Sequence, residues 1–238
     1  MKKAIIIGAS SGLGKGLATI LADNNYLVGI TGRRTDLLNE LRAERPNAYL
    51  TATMDVTDTS ALVDKLNELT TQLGGLDLLV ISSGTGDIND QLDFSIEKRT
   101  IDTNVLGFTC VADWAFNYFN QQQSGHLVAI TSVGGLRGSR FAPAYSASKA
   151  YQINYLEGLR QKAARLPYPV YITDIRPGFV DTDMAKGDGL FWVASVDKAV
   201  RQIYDAIIQR HKCSYITKRW RLIGIIMKSL PRSIFDKL

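Results

Sequence analysis

Short, nearly continuous apolar runs alternate with longer stretches that are apolar on one side only, and the alternation holds through residues 1 to 217. A strand that is apolar on both faces is covered on both, so the pattern predicts a parallel sheet with helices on each side. Strands are expected over roughly 3–8, 26–31, 48–53, 76–82, 125–132 and 168–175, with a short seventh near 213–217. Helices are expected over about 12–24, 35–44, 59–73, 95–122, 143–165 and 196–210. Asn24-Asn25 and Gly74-Gly75 are stop signals for the first and third helices, and Ser195 with Asp197 is a start signal for the last. No linker or repeat interrupts the stretch. The chain therefore reads as one doubly wound α/β domain, residues 1–217, with residues 218–238 as a C-terminal extension of that domain.

Composition narrows this picture. With 238 residues, 45% of them hydrophobic, the chain has ample material for one large core. Cys110 and Cys213 lie far apart without metal-like neighbours, which argues for reduced thiols and a cytoplasmic location. His126 and His211 are isolated and read as turn or strand-edge residues, so no metal site is expected. Lys2-Lys3 precedes an apolar run, Ala4 to Ile7, that is too short for a signal peptide, and no run approaches a transmembrane length. The net charge of +5 resides in the extension, where Lys218, Arg219, Arg221, Lys228, Arg232 and Lys237 face a single acid, Asp236. Residues 1–217 are then neutral, which excludes a general nucleic-acid-binding surface.

Two groups of residues carry chemistry. Gly8, Gly12 and Gly14, with Ser10, Ser11 and Leu13 between them, follow the first strand directly and open the first helix. Glycines in that position permit a tight turn, let the backbone approach a pyrophosphate and allow the helix to pack closely, while the helix N-terminus offers N–H groups to the anion. The second strand ends in Thr31-Gly32-Arg33-Arg34, with two arginines where an NAD-binding fold usually has an acid. A guanidinium suits a 2′-phosphate, so NADP(H) is the expected cofactor, with Arg33 ahead of Arg34 as its contact and Ser11 as a second one. Further on, Tyr145 and Lys149 stand four apart, which puts both on one face of a helix. An ammonium beneath a phenol favours the phenolate and is expected to lower the tyrosine pKa from about 10. Such a tyrosine exchanges a proton with a carbonyl or alcohol oxygen.

The ordered set of glycine turn, Asp55-Val56, Asn104, Ser132, Tyr145/Lys149 and Pro177-Gly178 resembles the short-chain dehydrogenase/reductase family over nearly all of residues 1–217. The resemblance implies a single-domain Rossmann fold with a seven-stranded sheet, and Tyr145 as general acid/base. Ser132 would polarise the substrate oxygen, Lys149 would hold the nicotinamide ribose, and Asn104 would anchor a water linking Lys149 to solvent. Asp55 and Val56 would contact adenine, and Gly84 would lie along the cofactor. Pro177, Gly178, Val180 and Thr182 would hold the nicotinamide. A homodimer or homotetramer is implied as well, with Val111, Trp114, Tyr118, Ile153 and Leu156 as exposed candidates on the two long helices. One departure is Ile81-Ser82-Ser83-Gly84 in place of Asn-Asn-Ala-Gly, whose effect should fall on sheet hydrogen bonding rather than on catalysis.

The segment from Phe179 to about Ala194 would cover the substrate, with Asp181, Asp183, Met184, Lys186, Phe191 and Trp192 available and Gly187-Asp188-Gly189 giving it freedom to move. In the extension, Trp220, Ile223, Ile226, Met227 and Leu230 fall on one side of a helix and Arg221, Lys228 and Arg232 on the other. That side either packs on the protein, the favoured reading, or touches a membrane or an acidic carrier. Three functions follow. The first is an NADP(H)-dependent oxidoreductase of small carbonyl or secondary alcohol substrates, and the second a reductase of carrier-bound or membrane-associated acyl chains. The third, a cofactor sensor without turnover, is disfavoured because Ser132, Tyr145, Lys149 and Asn104 are all present.

Overall fold

The computed structural model of the chain describes residues 1–185 and 190–236. Among them, strands β1 Lys2–Ile7, β2 Tyr26–Gly32, β3 Tyr49–Thr53, β4 Leu78–Ile81, β5 Gly125–Ile130, β6 Val170–Pro177 and β7 Cys213–Ile216 form one sheet. Its order is β3-β2-β1-β4-β5-β6-β7, with every neighbouring pair parallel. The helices are α1 Gly12–Asp23, α2 Thr35–Glu44, α3 Thr59–Leu73, α4 Phe94–Ile101, α5 Phe108–Gln122, α6 Pro143–Ala163, α7 Val196–Ile208, α8 Trp220–Ser229 and α9 Arg232–Phe235.

Successive strand residues feed two separate cores, which is why the strands are apolar without alternation. Ile6, Val80 and Val128 point to the face covered by α1 and α7, where they meet Leu17, Leu21, Ile203 and Ile207. Ile5, Ile7, Leu79 and Leu127 point to the other face and meet Leu66 of α3, Phe119 of α5 and Leu156 of α6. Local signals act where expected. Asp58 caps α3 by accepting from Ala61 N, and Gly74 ends it in the left-handed conformation at φ 71°. Ser195 caps α7 by accepting from Lys198 N. Ser82 N donates to Ile7 O at 2.8 Å, so the backbone ladder between β1 and β4 runs on into Ser82.

One expectation is refined and one corrected. The helix expected over 95–122 runs from Phe94 to Gln122, with its middle wound as a π-helical turn, Asp102–Gly107. This turn buries Asn104, whose side chain accepts from Thr85 N and donates to Thr85 O and to Ser148 Oγ. Val111 and Leu156, expected on an exposed face, are fully buried in the second core. Trp114, Tyr118 and Ile153 are half-buried, and Trp114 stacks on Tyr118. The large exposed residues next to this region are instead Ile101 and Leu106.

The extension lies across the C-terminal edge of the sheet. Trp220 is buried against Phe179 and Phe191, and Gly224 sits on Tyr215 and Leu136. Ile226, expected on the packed side, faces solvent with Leu222 and Ile225. Arg137 Nη1 donates to Leu230 O at 3.1 Å and its guanidinium lies over the Phe235 ring, so the last described residues are tied back to the domain. Lys237, counted in the charge of the extension, lies outside the described residues.

Because Leu156 belongs to the monomer core, Leu156→Ala should lower the free energy of unfolding by about 2–5 kcal/mol. Urea melts should give a midpoint loss that does not depend on protein concentration. A concentration-dependent loss would return Leu156 to a subunit interface.

Candidate active site

In a parallel sheet the strand order reverses between β1 and β4, and the C-terminal ends of the strands there open into a crevice. The cleft found at that place has a volume of about 2080 Å³. Every expected site residue lines it except Gly14 and Asn104, which support it from behind.

The glycine turn is built by close approach. Gly8 has φ 89°, and its N–H and that of Ala9 both donate to Thr31 O at 3.1 and 2.7 Å. A Cβ on Gly14 would overlap the carbonyl oxygen of Gly8, so only glycine lets α1 start this close to β1. Ser11, the N-cap of α1, makes no side-chain cap hydrogen bond. The first N–H groups of the helix are thus left available at the cleft wall, the arrangement an anion needs.

The two arginines stand in different surroundings. Arg34 donates to Ser10 Oγ at 2.8 Å and to Ser11 Oγ at 2.6 Å, which fastens it to the glycine turn. Arg33 stands 3.9 Å from Asp55 with about two thirds of its side chain exposed. Asp55 also accepts from Thr57 N and Thr57 Oγ1, both at 2.9 Å. A dinucleotide carrying a 2′-phosphate fits this donor set of two guanidiniums, two serines and a helix start.

At the other end, Ser132 follows β5 in extended conformation and accepts from Gly134 N at 3.0 Å. Tyr145 and Lys149 rise from α6, with the ammonium 5.9 Å from the phenol ring centroid. Lys149 is buried and donates to Ile130 O and to Gln152 Oε1, each at 3.0 Å. Burial brings it down to about 8, with Asp174 pulling the other way. Tyr145 differs from expectation. Burial pushes its pKa up, and only its hydrogen bond with Ser132 pulls it partly back. The ammonium of Lys149 is committed to Ile130 and Gln152 rather than to the phenol.

Sequence reasoning missed several supports. Gln152 not only accepts from Lys149 but donates to Asn104 O at 2.9 Å, so it joins α6 to the π-helical turn. Its position three residues after Lys149 was the available signal. Thr131 Oγ1 donates to Asp174 Oδ1 at 2.6 Å, and Arg176 pairs with Asp174 at 2.6 Å while reaching Tyr215. This buried set locks the strand end bearing Ser132 to the strand end bearing Pro177-Gly178. Gly86 packs flat on the Tyr145 ring, where any Cβ would overlap it. These neighbours are assembled by the fold and leave no mark in local spacing.

The covering segment is closed at its base by Asp181 N donating to Ala194 O at 2.9 Å and by Ala194 N donating to Phe179 O at 3.0 Å. Met184 and Phe191 line the cleft together with Ile223, Met227 and Phe235 of the extension. Phe191 also stacks on Trp220, so the aromatics expected in the cover serve both the pocket and the packing. Lys186, Gly187, Asp188 and Gly189 lie outside the described residues. Among the described residues no cluster of potential metal ligands is present.

The family model described as short chain dehydrogenase matches residues 2–189. An uncharacterized oxidoreductase of Myxococcus xanthus is 36% identical over 244 residues, covering 99% of this chain and 95% of its own. A short-chain dehydrogenase from Streptomyces avermitilis superposes with TM-score 0.83 at 22% identity, covering 99% of this chain and 93% of the other. An actinorhodin polyketide ketoreductase variant with NADPH superposes with TM-score 0.71 at 26% identity, covering 77% and 72%. The chain belongs to the short-chain dehydrogenase family and is an oxidoreductase of that type.

Burial of Lys149 gives a pH signature with a definite sign. The unfolded lysine holds its proton to about pH 10.5, and the folded one releases it near 8. Between those values the unfolded state binds more protons, so stability contributed at this site rises with pH through the window and is lowest below pH 8. Lys149→Met should therefore be more stable than the parent at pH 7, by up to about 3 kcal/mol. In urea melts the lead should shrink as pH rises from 8 to 10.5, and a lead independent of pH would contradict the assignment.

Proposed function

We propose that the protein is an NADP(H)-dependent carbonyl reductase that uses Tyr145 as its proton donor. The observation that carries this reading is that Ser132, Tyr145 and Lys149 meet at the wall of a cleft whose far end offers a set of guanidinium, hydroxyl and helix N-terminal donors. The presence of NADPH with the actinorhodin ketoreductase variant supports the choice of cofactor.

When bound, NADP(H) supplies or accepts the hydride at its nicotinamide ring. The chain's own residues do the rest. The glycine turn and the start of α1 bind the pyrophosphate, and Arg33, lightly tied to Asp55, reaches the 2′-phosphate while Arg34 keeps Ser10 and Ser11 in place. Pro177, Gly178, Val180 and Thr182 position the nicotinamide end. Ser132 orients the carbonyl oxygen toward Tyr145, and Tyr145 passes its proton to that oxygen as negative charge develops there. Phe191, Ile223, Met227 and Phe235 line the same cleft as Tyr145, beside Arg137 and Arg232, so the favoured substrates carry an apolar body as well as the carbonyl. Assembly into a homodimer or homotetramer is part of the same proposal, with Ile101 and Leu106 as the apolar residues available on the outer face.

Tyr145→Phe keeps the ring that packs on Gly86 and removes the proton, so kcat for NADPH-dependent reduction should fall on the order of a hundredfold or more. NADPH affinity, followed by fluorescence titration, should change little. A panel of ketones and aldehydes monitored at the nicotinamide absorbance band supplies the assay, and near-normal turnover by the variant would overturn the mechanism.

The two arginines should separate experimentally. Loss of a charge-assisted contact costs about 1.5–3 kcal/mol, so Arg33→Ala should weaken NADPH roughly tenfold or more and leave NADH nearly unchanged. Arg34→Ala releases the two serines of the glycine turn and should weaken both cofactors. Equal losses for the two cofactors in Arg33→Ala, or a parent preference for NADH, would contradict the NADP(H) reading.

A further inference from the structure

The extension is packed on one side and bare on the other. On α8, Trp220, Ile223, Gly224 and Met227 turn toward the domain and the cleft, while Leu222, Ile225 and Ile226 stand out with roughly half of their surface exposed. At about 100° per residue these three make one continuous outward stripe, and Arg221 and Lys228 lie along its edge. The stripe has neighbours of the same kind. Phe191, Trp192 and Val193 are exposed, Trp192 lies against the start of α8 through Arg219, whose guanidinium sits over its ring, and Ile234 of α9 is half exposed. Seven of the large apolar side chains exposed among the described residues thus fall in two short segments joined at Trp220. No acidic residue occurs from Ala206 to Phe235, while residues 1–217 are neutral overall.

We propose that the outer face of α8, with the neighbouring tip at Phe191 to Val193, docks on an anionic lipid bilayer. An apolar stripe bordered by lysine and arginine is the design of a helix that lies in the interface: the aliphatic side chains enter the boundary with the acyl chains, and the cations stay at the headgroups. Exposed aromatics beside it belong at the same depth. A second copy of the chain is a poorer occupant. A twofold interface brings a patch against itself, so Lys218, Arg219, Arg221, Lys228 and Arg232 would face the same cations. An acidic protein would satisfy the charges, but protein interfaces are depleted in lysine, and here Lys228 borders the apolar stripe. The described residues contain no helix long and apolar enough to cross a membrane, so the contact is peripheral. Because the opposite side of the same helix lines the cleft, docking places the apolar end of the cleft beside the lipid.

The test uses the full-length protein and vesicles of phosphatidylcholine with or without a third of phosphatidylglycerol. The protein should float with the anionic vesicles, be released progressively by salt, and stay behind with the neutral ones. Leu222→Ser/Ile225→Ser/Ile226→Ser should abolish flotation with melting temperature and sedimentation mass unchanged, since these side chains touch neither core nor cleft. Arg221→Glu/Lys228→Glu, which leaves the apolar stripe in place, should weaken binding at least ~tenfold, each cation being one of several that attract the anionic surface. Absence of flotation with anionic vesicles, equal flotation with neutral ones, or binding unaltered in both variants would overturn the proposal. So would dissociation of an oligomer by the triple serine variant, which would assign the face to a second copy. The measurements need no turnover, so they stand or fall apart from the reductase reading.

Discussion

A buried ammonium organises the catalytic end of this protein. Lys149 sits beneath the cleft with almost no exposed surface, and a charge in that position is tolerated only if hydrogen-bond acceptors surround it. The acceptors are Ile130 O at the end of β5 and Gln152 one turn further along α6. Gln152 in turn needs a partner, and the carbonyl of Asn104 supplies it from the π-helical turn. Asn104 then spends its side chain on Thr85 and Ser148. One desolvated charge thus ties together β5, α6, the turn between α4 and α5, and the loop after β4. Even with these partners the lysine gives up part of its basicity, a burden the fold carries for the sake of the site.

A second polar layer lies deeper. Thr131, Asp174 and Arg176 bind the ends of β5 and β6 to one another, with Tyr215 of β7 on the outside. Ser132 and Pro177-Gly178 extend directly from those strand ends, so the distance across the reacting part of the cleft is set by a buried ion pair rather than by the loops. Such a pair contributes little net stability, because both charges were taken from water, but it does hold geometry once made. The opposite end of the cleft is governed by sterics: Gly14 against Gly8 fixes how near α1 comes to β1, and with it the height at which the helix start meets an anion.

The extension does two things with one helix. Its inner side completes the apolar end of the cleft and buries Trp220 against Gly178, so the segment expected to hold the nicotinamide is backed by the tail. Its outer side leaves aliphatic residues and cations to solvent. Packing, the favoured reading of the helical periodicity, is met by the inner side, while Leu222, Ile225 and Ile226 stand exposed on the outer one.

A parallel sheet of seven strands, the placement of most helices and most of the residues that line the cleft were legible in the sequence, because strands apolar on both faces, a glycine triad after the first of them and a tyrosine four residues before a lysine each answer to a local rule. The sequence also determined the charge asymmetry of the extension and the family, since both depend on residue identity and order alone. Tertiary structure decided the rest. Val111 and Leu156 had the right periodicity for an outer face, yet which side of a helix meets the sheet depends on its rotation against neighbours far away in the chain. The π-helical turn at Asp102–Gly107 meets Thr85, Ser148 and Gln152. The direction of the Tyr145 pKa shift turned on burial, which outweighed the pull of Ser132. Spacing along a helix tells which side chains are near one another, but the dielectric around them is set by everything packed above, and only the folded chain supplies that.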